Sequence, residues 1–377
     1  MHIGIVAGEH SGDFLGAELI TAIQARYPDA VFEGIAGPRM IEAGCRPLFA
    51  MDELSVMGYV EVLSRLARLV YVRRSVGRYF LRARPDVFIG IDSPDFNLGL
   101  ERRLKRAGIP TVHYVSPTVW AWRQYRMKKI RRSVSRMLTL FPFEETFYDA
   151  HGIDVRYVGH PLADRIPREV DKLQARQALE IDTEGPIVAL LPGSRASEVS
   201  RLAGPFVATA EWCWESRREL RFLAAVTDAR NRELFSAALH KRNVTLPVTI
   251  LEGRSHEVMA AADVVLVSSG TATLEALLLK RPMVVAYRLA PLTYFLAKRM
   301  VKLPYYSLPN LLAGQTLVPE LIQDKVTPDK LGPLVLDWLD SPYKSKDLTG
   351  IFKQIHEALR CNGGTTAASA VLDMVGR

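Results

Sequence analysis

Residues 265–275 read Val-Leu-Val-Ser-Ser-Gly-Thr-Ala-Thr-Leu-Glu, a buried-type strand that runs into small hydroxyl residues and then a helix. Gly270, Thr271, Ala272 and Thr273 place little bulk before the first helical amides, which lack intrahelical acceptors and lie at the positive end of the helix dipole. Such a turn is suited to an anionic group, although an ordinary hydroxyl cap would look the same. Glu275 lies too far into the helix to cap it, and a carboxylate there can accept hydrogens from a sugar or ribose diol. A second strand, Ile187 to Leu191, leads to Pro192-Gly193-Ser194-Arg195, a tight turn with a guanidinium at its tip. Two such strand ends in one α/β domain suit the two lips of a nucleotide-diphosphate pocket.

The first half of the chain carries the acids. Gly8-Glu9-His10-Ser11-Gly12-Asp13 follows the first strand but lacks the G-x-G-x-x-G spacing. Its acidic residues would repel a pyrophosphate, so Glu9 fits a hydroxyl-rich ligand better than a dinucleotide, or it merely caps the next helix. Asp92 closes the run Ile89-Gly90-Ile91, at the strand end where an α/β enzyme holds a catalytic group. Asp95, three residues on, suits the N-cap of the following helix. No clustered histidine or third carboxylate accompanies the pair, so no metal is expected. His113 and His160 are expected at strand ends or loops facing the presumed cleft, where each is either a base or a satisfied structural residue. No nucleophile elbow, Walker loop or metal-binding histidine pair occurs.

The elements that must position these residues are strands near 2–7, 31–36, 86–92, 111–115 and 136–141, and again near 186–192, 221–226, 248–251, 263–268 and 282–287. Most are continuous apolar runs, as parallel strands covered by helices on both faces require. The fold class is therefore α/β, with two Rossmann-like, doubly wound parallel-sheet domains and ligand chemistry at the C-terminal strand ends in the cleft between them. The expected boundaries are 1–165, 171–345 and a C-terminal helical segment, 346–377, whose apolar face needs a docking surface. A length of 377 residues with 48% hydrophobic content supports two full-sized cores. Three scattered cysteines argue against a disulfide framework or a zinc site. With no secretory signal and no membrane-spanning run, a cytoplasmic-side protein is expected.

A net charge of +8 implies anionic partners. Residues 62–84 contain no acid, while Arg65, Arg68, Arg73, Arg74, Arg78, Arg82 and Arg84 alternate with apolar residues that include Leu63, Leu66, Leu69 and Val70. This pattern suits either a basic helix lying in a membrane interface or a helix packed on the sheet with solvated arginines. A second basic run, 123–136, follows Trp120-Ala121-Trp122. Aromatics beside cations can bind single-stranded nucleic acid, but no nucleic-acid-binding fold accompanies them and no nucleic-acid partner is expected.

Taken in order, Gly-Glu-His-Ser-Gly-Asp (8–13), Gly-Ile-Ala-Gly-Pro-Arg-Met (34–40), Asp-Ser-Pro-Asp-Phe-Asn (92–97), Ser-Pro-Thr-Val-Trp-Ala-Trp-Arg (116–123), Pro-Phe-Glu (142–144), Gly-His-Pro (159–161), Leu-Pro-Gly-Ser-Arg (191–195), Ser-Gly-Thr-Ala-Thr-Leu-Glu (269–275) and Leu-Pro-Asn (308–310) closely resemble the lipid-A-disaccharide synthase family. The resemblance covers nearly the whole chain. It implies a GT-B type glycosyltransferase that needs no metal or other cofactor and joins UDP-2,3-diacylglucosamine to 2,3-diacylglucosamine 1-phosphate (lipid X). It implies Glu9, Asp92, Arg195, Glu275 and Asn310 as essential positions, with Asp92 or Glu9 as general base. Arg195, Ser194, Gly270, Thr271, Ala272, Thr273 and Glu275 would hold UDP, and Asn310 would touch the diphosphate or donor sugar. It further implies 62–84 as a surface peripheral to the cytoplasmic face of the inner membrane, and a homodimer with exchanged C-terminal segments. Rival expectations are a UDP-N-acetylglucosamine 2-epimerase-like enzyme and a basic nucleic-acid-binding protein.

Overall fold

In a computed structural model the chain divides into two compact units, Met1–Asp164 with Leu359–Arg377, and Arg165–Ala358. The structure describes residues 1–54, 59–120, 124–181, 184–242, 245–291, 293–295 and 303–376, with the backbone only of 59–65 and 124.

Among the described residues the first unit holds a seven-stranded sheet in the order β3-β2-β1-β4-β5-β6-β7. Its strands are β1 (His2–Ala7), β2 (Val31–Ala36), β3 (Cys45–Ala50), β4 (Val87–Ile91), β5 (Thr111–Tyr114), β6 (Arg136–Thr139) and β7 (Val155–Tyr157). The second unit holds six strands in the order β10-β9-β8-β11-β12-β13. These are β8 (Ile187–Leu191), β9 (Arg221–Val226), β10 (Val248–Glu252), β11 (Val264–Ser268), β12 (Met283–Tyr287) and β13 (Glu320–Ile322). Neighbours pair in parallel throughout. The expected strands are present; β3, β7 and β13 are additional. Each is an edge strand, and edge strands need no continuous apolar run. β3 even contains Pro47, whose missing amide is tolerated at an edge.

Helices that bear on the site are α1 (His10–Gln24), α2 (Tyr59–Ala83), α3 (Pro94–Arg106), α4 (Pro142–Asp149), α5 (Ala196–Ser216), α6 (Thr271–Leu278), α7 (Leu308–Ala313), α8 (Pro342–Leu359) and α9 (Gly363–Leu372). Alternation along β1 sorts the first core into two layers. Ile3, Ile5 and Ala7 pack with Leu15, Leu19 and Ile23 of α1 and with Ala367, Ala368 and Val371 of α9. Val6 and Phe88 pack with Val72, Val76 and Phe80 of α2 and Leu100 and Leu104 of α3. The last helix therefore docks on the unit where the chain began. It is fastened there by Asp164, whose carboxylate accepts from the Asn362 and Gly363 amides at 3.0 and 2.7 Å.

Each sheet reverses strand order once, between β1 and β4 and between β8 and β11. Open α/β sheets bind ligands at the carboxyl ends of the strands flanking such a switch point. The fold thus marks two turns in each unit: those after β1 and β4, and those after β8 and β11.

Candidate active site

In the first unit these turns carry Glu9 and Asp92. Ala7 of β1 lies in register with Ile91 of β4, and the loops touch beyond them: a Cβ on Gly8 would come within 2.3 Å of Ser93 Oγ. Glu9 is exposed and occupies the N-cap position of α1 without a side-chain capping bond. Asp92 is half-buried, and both Asp92 and Ser93 are left-handed, with φ of 51° and 43°. Non-glycine residues in that conformation cost about 1–3 kcal/mol each and persist only where surroundings over-determine them. Here the Asp92 amide donates to the Tyr114 carbonyl at 2.8 Å. Asn97 Nδ2 donates to the carbonyls of Asp92 at 2.8 Å and Ile91 at 3.3 Å. Asp95 is not the cap: α3 starts at Pro94, and Asp95 lies in its first turn, ion-paired with Arg126.

In the second unit, Leu191 of β8 lies in register with Val267 of β11. The turn after β8 is shaped by Gly193 (φ 124°) and closed by Glu198, whose Oε2 accepts from the Ser194 and Arg195 amides at 3.2 and 3.4 Å. The Ser194 carbonyl accepts from Asn231 Nδ2 at 2.9 Å. Arg195 itself points outward, its side chain 81% exposed and 3.5 Å from Glu198. The turn after β11 opens on Gly270, φ 146°, and no side chain caps α6. Thr273 turns its hydroxyl back to the Gly270 carbonyl at 2.7 Å, leaving Thr271 exposed and Ala272 half-exposed at the helix mouth. Glu275 is half-buried, its carboxylate has no hydrogen-bond or ion-pair partner among the described residues, and burial pushes it up. An anion-receptive helix start, an exposed guanidinium and a carboxylate without a partner are what a nucleotide sugar offers groups to: phosphate, phosphate and hydroxyls.

Residues 3–371 match the family model of lipid-A-disaccharide synthetase. The chain is 52% identical over 377 residues to the lipid-A-disaccharide synthase of Pseudomonas aeruginosa (strain UCBPP-PA14), spanning 100% of this chain and 99% of that one. It is 51% identical over 374 residues to that of Methylobacillus flagellatus, spanning 99% of each. The chain belongs to the lipid-A-disaccharide synthase family. It is a glycosyltransferase, and the epimerase-like reading is not favoured. Solved structures show the fold alone. The UDP-GlcNAc 2-epimerase from Neisseria meningitidis bound to UDP-GlcNAc has a TM-score of 0.61 at 10% identity, covering 99% of each chain. The glycotransferase of kitacinnamycin has 0.59 at 16%, covering 99% of this chain and 98% of that one. The two-Rossmann GT-B class follows from these likenesses together with the two parallel sheets.

Set against this synthase family, several expected residues take other places. Asn310 on α7 is fully buried and its amide is committed internally. Oδ1 accepts from the Leu317 and Val318 amides at 2.7 and 3.0 Å; Nδ2 donates to the Val318 carbonyl and to Glu320 at 2.9 and 2.8 Å. Glu320 also accepts from the Tyr306 and Ser307 amides, and Leu308 N donates to Thr273 Oγ1 at 3.3 Å. The Asn310 network thus connects to the Gly270 turn, through Glu320, the 306–308 backbone and Thr273. His113 does not face a cleft; it is fully buried, sharing a 2.6 Å hydrogen bond with Glu101. His160 is 7% exposed, accepts from the Leu162 amide at 3.2 Å and packs on Phe141; burial pushes it down to about 4. That keeps it neutral at physiological pH.

The two basic segments also resolve. Along α2, Val72, Val76 and Phe80 are buried, so the C-terminal half packs on the sheet. Leu66 is 50% exposed, Leu69 and Val70 are half-exposed, and Arg73 reaches the Asp95 carbonyl at 3.4 Å. The side chains of Leu63 and Arg65 lie outside the described residues, as do Ala121, Trp122 and Arg123. Trp120 donates to Glu144 at 2.9 Å and stands edge-on to Phe143, so this aromatic is spent inside the unit. The sequence reading gave no role to Glu101, Glu144, Glu198 or Glu320, each an acid serving backbone amides or buried polar groups. Only Glu198 and Glu144 carried a local signal, as acids three residues past a helix cap.

Proposed function

We propose that the chain catalyses inverting transfer of the 2,3-diacylglucosaminyl group from UDP to the 6-hydroxyl of lipid X, giving a β(1→6) disaccharide 1-phosphate and UDP. The observation that carries the reading is Asp92, a half-buried carboxylate held in a left-handed turn at the switch point of the first sheet. One displacement at the anomeric carbon inverts it and needs no enzyme nucleophile. Asp92 takes the proton of the attacking hydroxyl, a role worth roughly 10²–10⁴-fold. Glu9, exposed beside it, binds sugar hydroxyls. In the second unit, Arg195 and the amides at Thr271 and Ala272 meet the charge that gathers on the leaving diphosphate. Ser194 and Thr273 shape that pocket, Glu275 accepts from the ribose hydroxyls, and Asn310 positions the Gly270 turn through Glu320 and Thr273.

Both substrates carry acyl chains and phosphate, which agrees with the exposed Leu66 and half-exposed Leu69 and Val70 beside the arginines of α2 and with peripheral binding at the cytoplasmic face of the inner membrane. No helix among the described residues is long and apolar enough to cross a membrane. A homodimer would form by exchange of α9, each copy making on its partner the contacts α9 makes here with α1.

UDP release from UDP-2,3-diacylglucosamine in mixed micelles with EDTA tests the reading. Release should require lipid X and survive the chelator. Release without lipid X, or only with added divalent metal, would overturn the reaction or the metal-free mechanism respectively.

A further inference from the structure

Behind Asp92 lies a polar cluster that the proposed reaction does not use directly. Asn97 and Glu101 stand one turn apart on α3, on the face toward the sheet. Gly90 of β4 is in register with His113 of β5. A Cβ at Gly90 would lie 2.3 Å from Glu101 Oε1 and 2.9 Å from Asn97 Cγ, so both side chains fill the space over that one glycine. Asn97, Glu101 and His113 are each 0% exposed. Glu101 and His113 hold each other, while Asn97 Oδ1, Glu101 Oε2 and His113 Nε2 have no protein partner among the described residues. Unpartnered polar atoms inside a sheet are a cost that an apolar filling would avoid. The bonds that remain point one way: Asn97 Nδ2 clamps the carbonyls of Ile91 and Asp92, the two peptide groups that set the left-handed turn.

We infer that Asn97, held against Gly90 by the Glu101–His113 pair, is a positioning residue for Asp92, fixing the direction of the carboxylate through the backbone that carries it. This rests on Asp92 being the general base. The Glu101 side chain shares the space over Gly90 with Asn97, and the acceptors that the Asn97 amide uses are the Ile91 and Asp92 carbonyls. Loss of the clamp would free the turn to relax from its left-handed conformation and displace the carboxylate. Misplacement by about 1 Å costs about 10²-fold in rate, with little effect on ground-state binding.

The test is a cycle of Asp92→Asn and Asn97→Leu, measuring kcat, KM for both substrates, UDP affinity and thermal unfolding. Asn97→Leu should lower kcat about 10²-fold while both KM values and UDP affinity stay within about threefold. In the Asp92→Asn background it should add no further loss, since residues acting as one unit are non-additive. Multiplying losses, or an unchanged kcat in Asn97→Leu, would overturn the positioning role and leave the base role standing. Full turnover by Asp92→Asn would remove the base role and this inference with it. If Asn97→Leu does not fold, Glu101→Leu against Glu101→Gln decides. The glutamine keeps an acceptor for His113 and should retain kcat, whereas the leucine should lose it at unchanged KM; equal losses in both would overturn the proposal.

Discussion

The turn that carries Asp92 and the turn that opens on Gly270 hold equivalent places, each following the strand beside its sheet's first strand at the switch point. They are built in opposite ways. The Asp92 turn puts two non-glycine residues in the left-handed region and fixes them from behind with a buried amide. The Gly270 turn uses a glycine for its unusual backbone, with nothing within 4 Å of where a Cβ would stand; beyond it the Glu275 carboxylate has no partner among the described residues, and on the neighbouring turn after β8 the Arg195 side chain is 81% exposed. The first is ordered by the protein. The second has its backbone tied through Thr273 to α7, while the side chains that would meet a ligand are left for the ligand to order. A base must be aimed before the hydroxyl arrives, because misaim costs rate directly, whereas a diphosphate supplies its own charge to draw in a guanidinium.

The strongest break of this contrast is at its chemical ends. Asp92→Asn should lower kcat by roughly 10²–10⁴-fold with KM values little changed, read as lipid X-dependent UDP release. Loss of KM instead of kcat would mean that Asp92 binds substrate and that the rigid turn serves affinity. Arg195→Ala should cost about 10²–10³-fold, with UDP affinity falling as well, because the same cation meets substrate and leaving group. An Arg195→Ala enzyme that binds UDP normally would place the cation outside the nucleotide pocket.

The glycines sharpen the contrast further. Gly90→Ala should fail for lack of space, its Cβ meeting Glu101 at 2.3 Å, and trimming Glu101 to Ala should recover part of the loss in thermal stability. Gly270→Ala has no atom within 4 Å to trim, and its φ of 146° makes the strain one of backbone, about 1–3 kcal/mol. It should disturb UDP binding more than unfolding. Recovery of Gly270→Ala by UDP at saturating concentration would show the ligand supplying the order that the turn lacks; failure to recover would make this turn as protein-ordered as the first.

Ten of the strands, their parallel doubly wound class and the residues at the strand ends were legible in the sequence, because central parallel strands must be apolar throughout and the loops that follow them must be small or charged. Glu9, Asp92, Arg195 and Glu275 all stand at or beside those strand ends. What was not legible is pairing across the fold. His113 reads as a polar residue at a strand end, and nothing local says that Glu101, on a helix crossing behind the strand, closes on it. Asn310, just past a proline, is expected from the resemblance to touch the diphosphate or donor sugar, and nothing local says that it is fully buried with four bonds to Leu317, Val318 and Glu320. Both depend on residues that only the packed sheet brings near.

Two carboxyls give the mildest test of protein-ordered against ligand-ordered construction. Burial pushes both Glu144 and Glu275 up, but Glu144 is 2% exposed and accepts from Trp120 and from the Phe141 amide, and it reaches about 7. Between its unfolded value of 4.5 and about 7 the folded protein keeps a proton that the unfolded chain releases. Stability from this group is therefore greatest below 4.5, falls as pH rises toward 7 and is level above it, at a slope of at most about 1.4 kcal/mol per pH unit. Glu144→Gln should flatten that decline in a thermal-unfolding series from pH 5 to 8, with or without UDP. Glu275→Gln should instead weaken UDP binding; it also removes a second upward-shifted carboxyl, whose contribution to the decline has the same sign. If UDP altered the Glu144-dependent slope while Glu275→Gln left UDP affinity intact, the ligand would be ordering the first unit's turns, and the division of labour between the two sheets would have to be reversed.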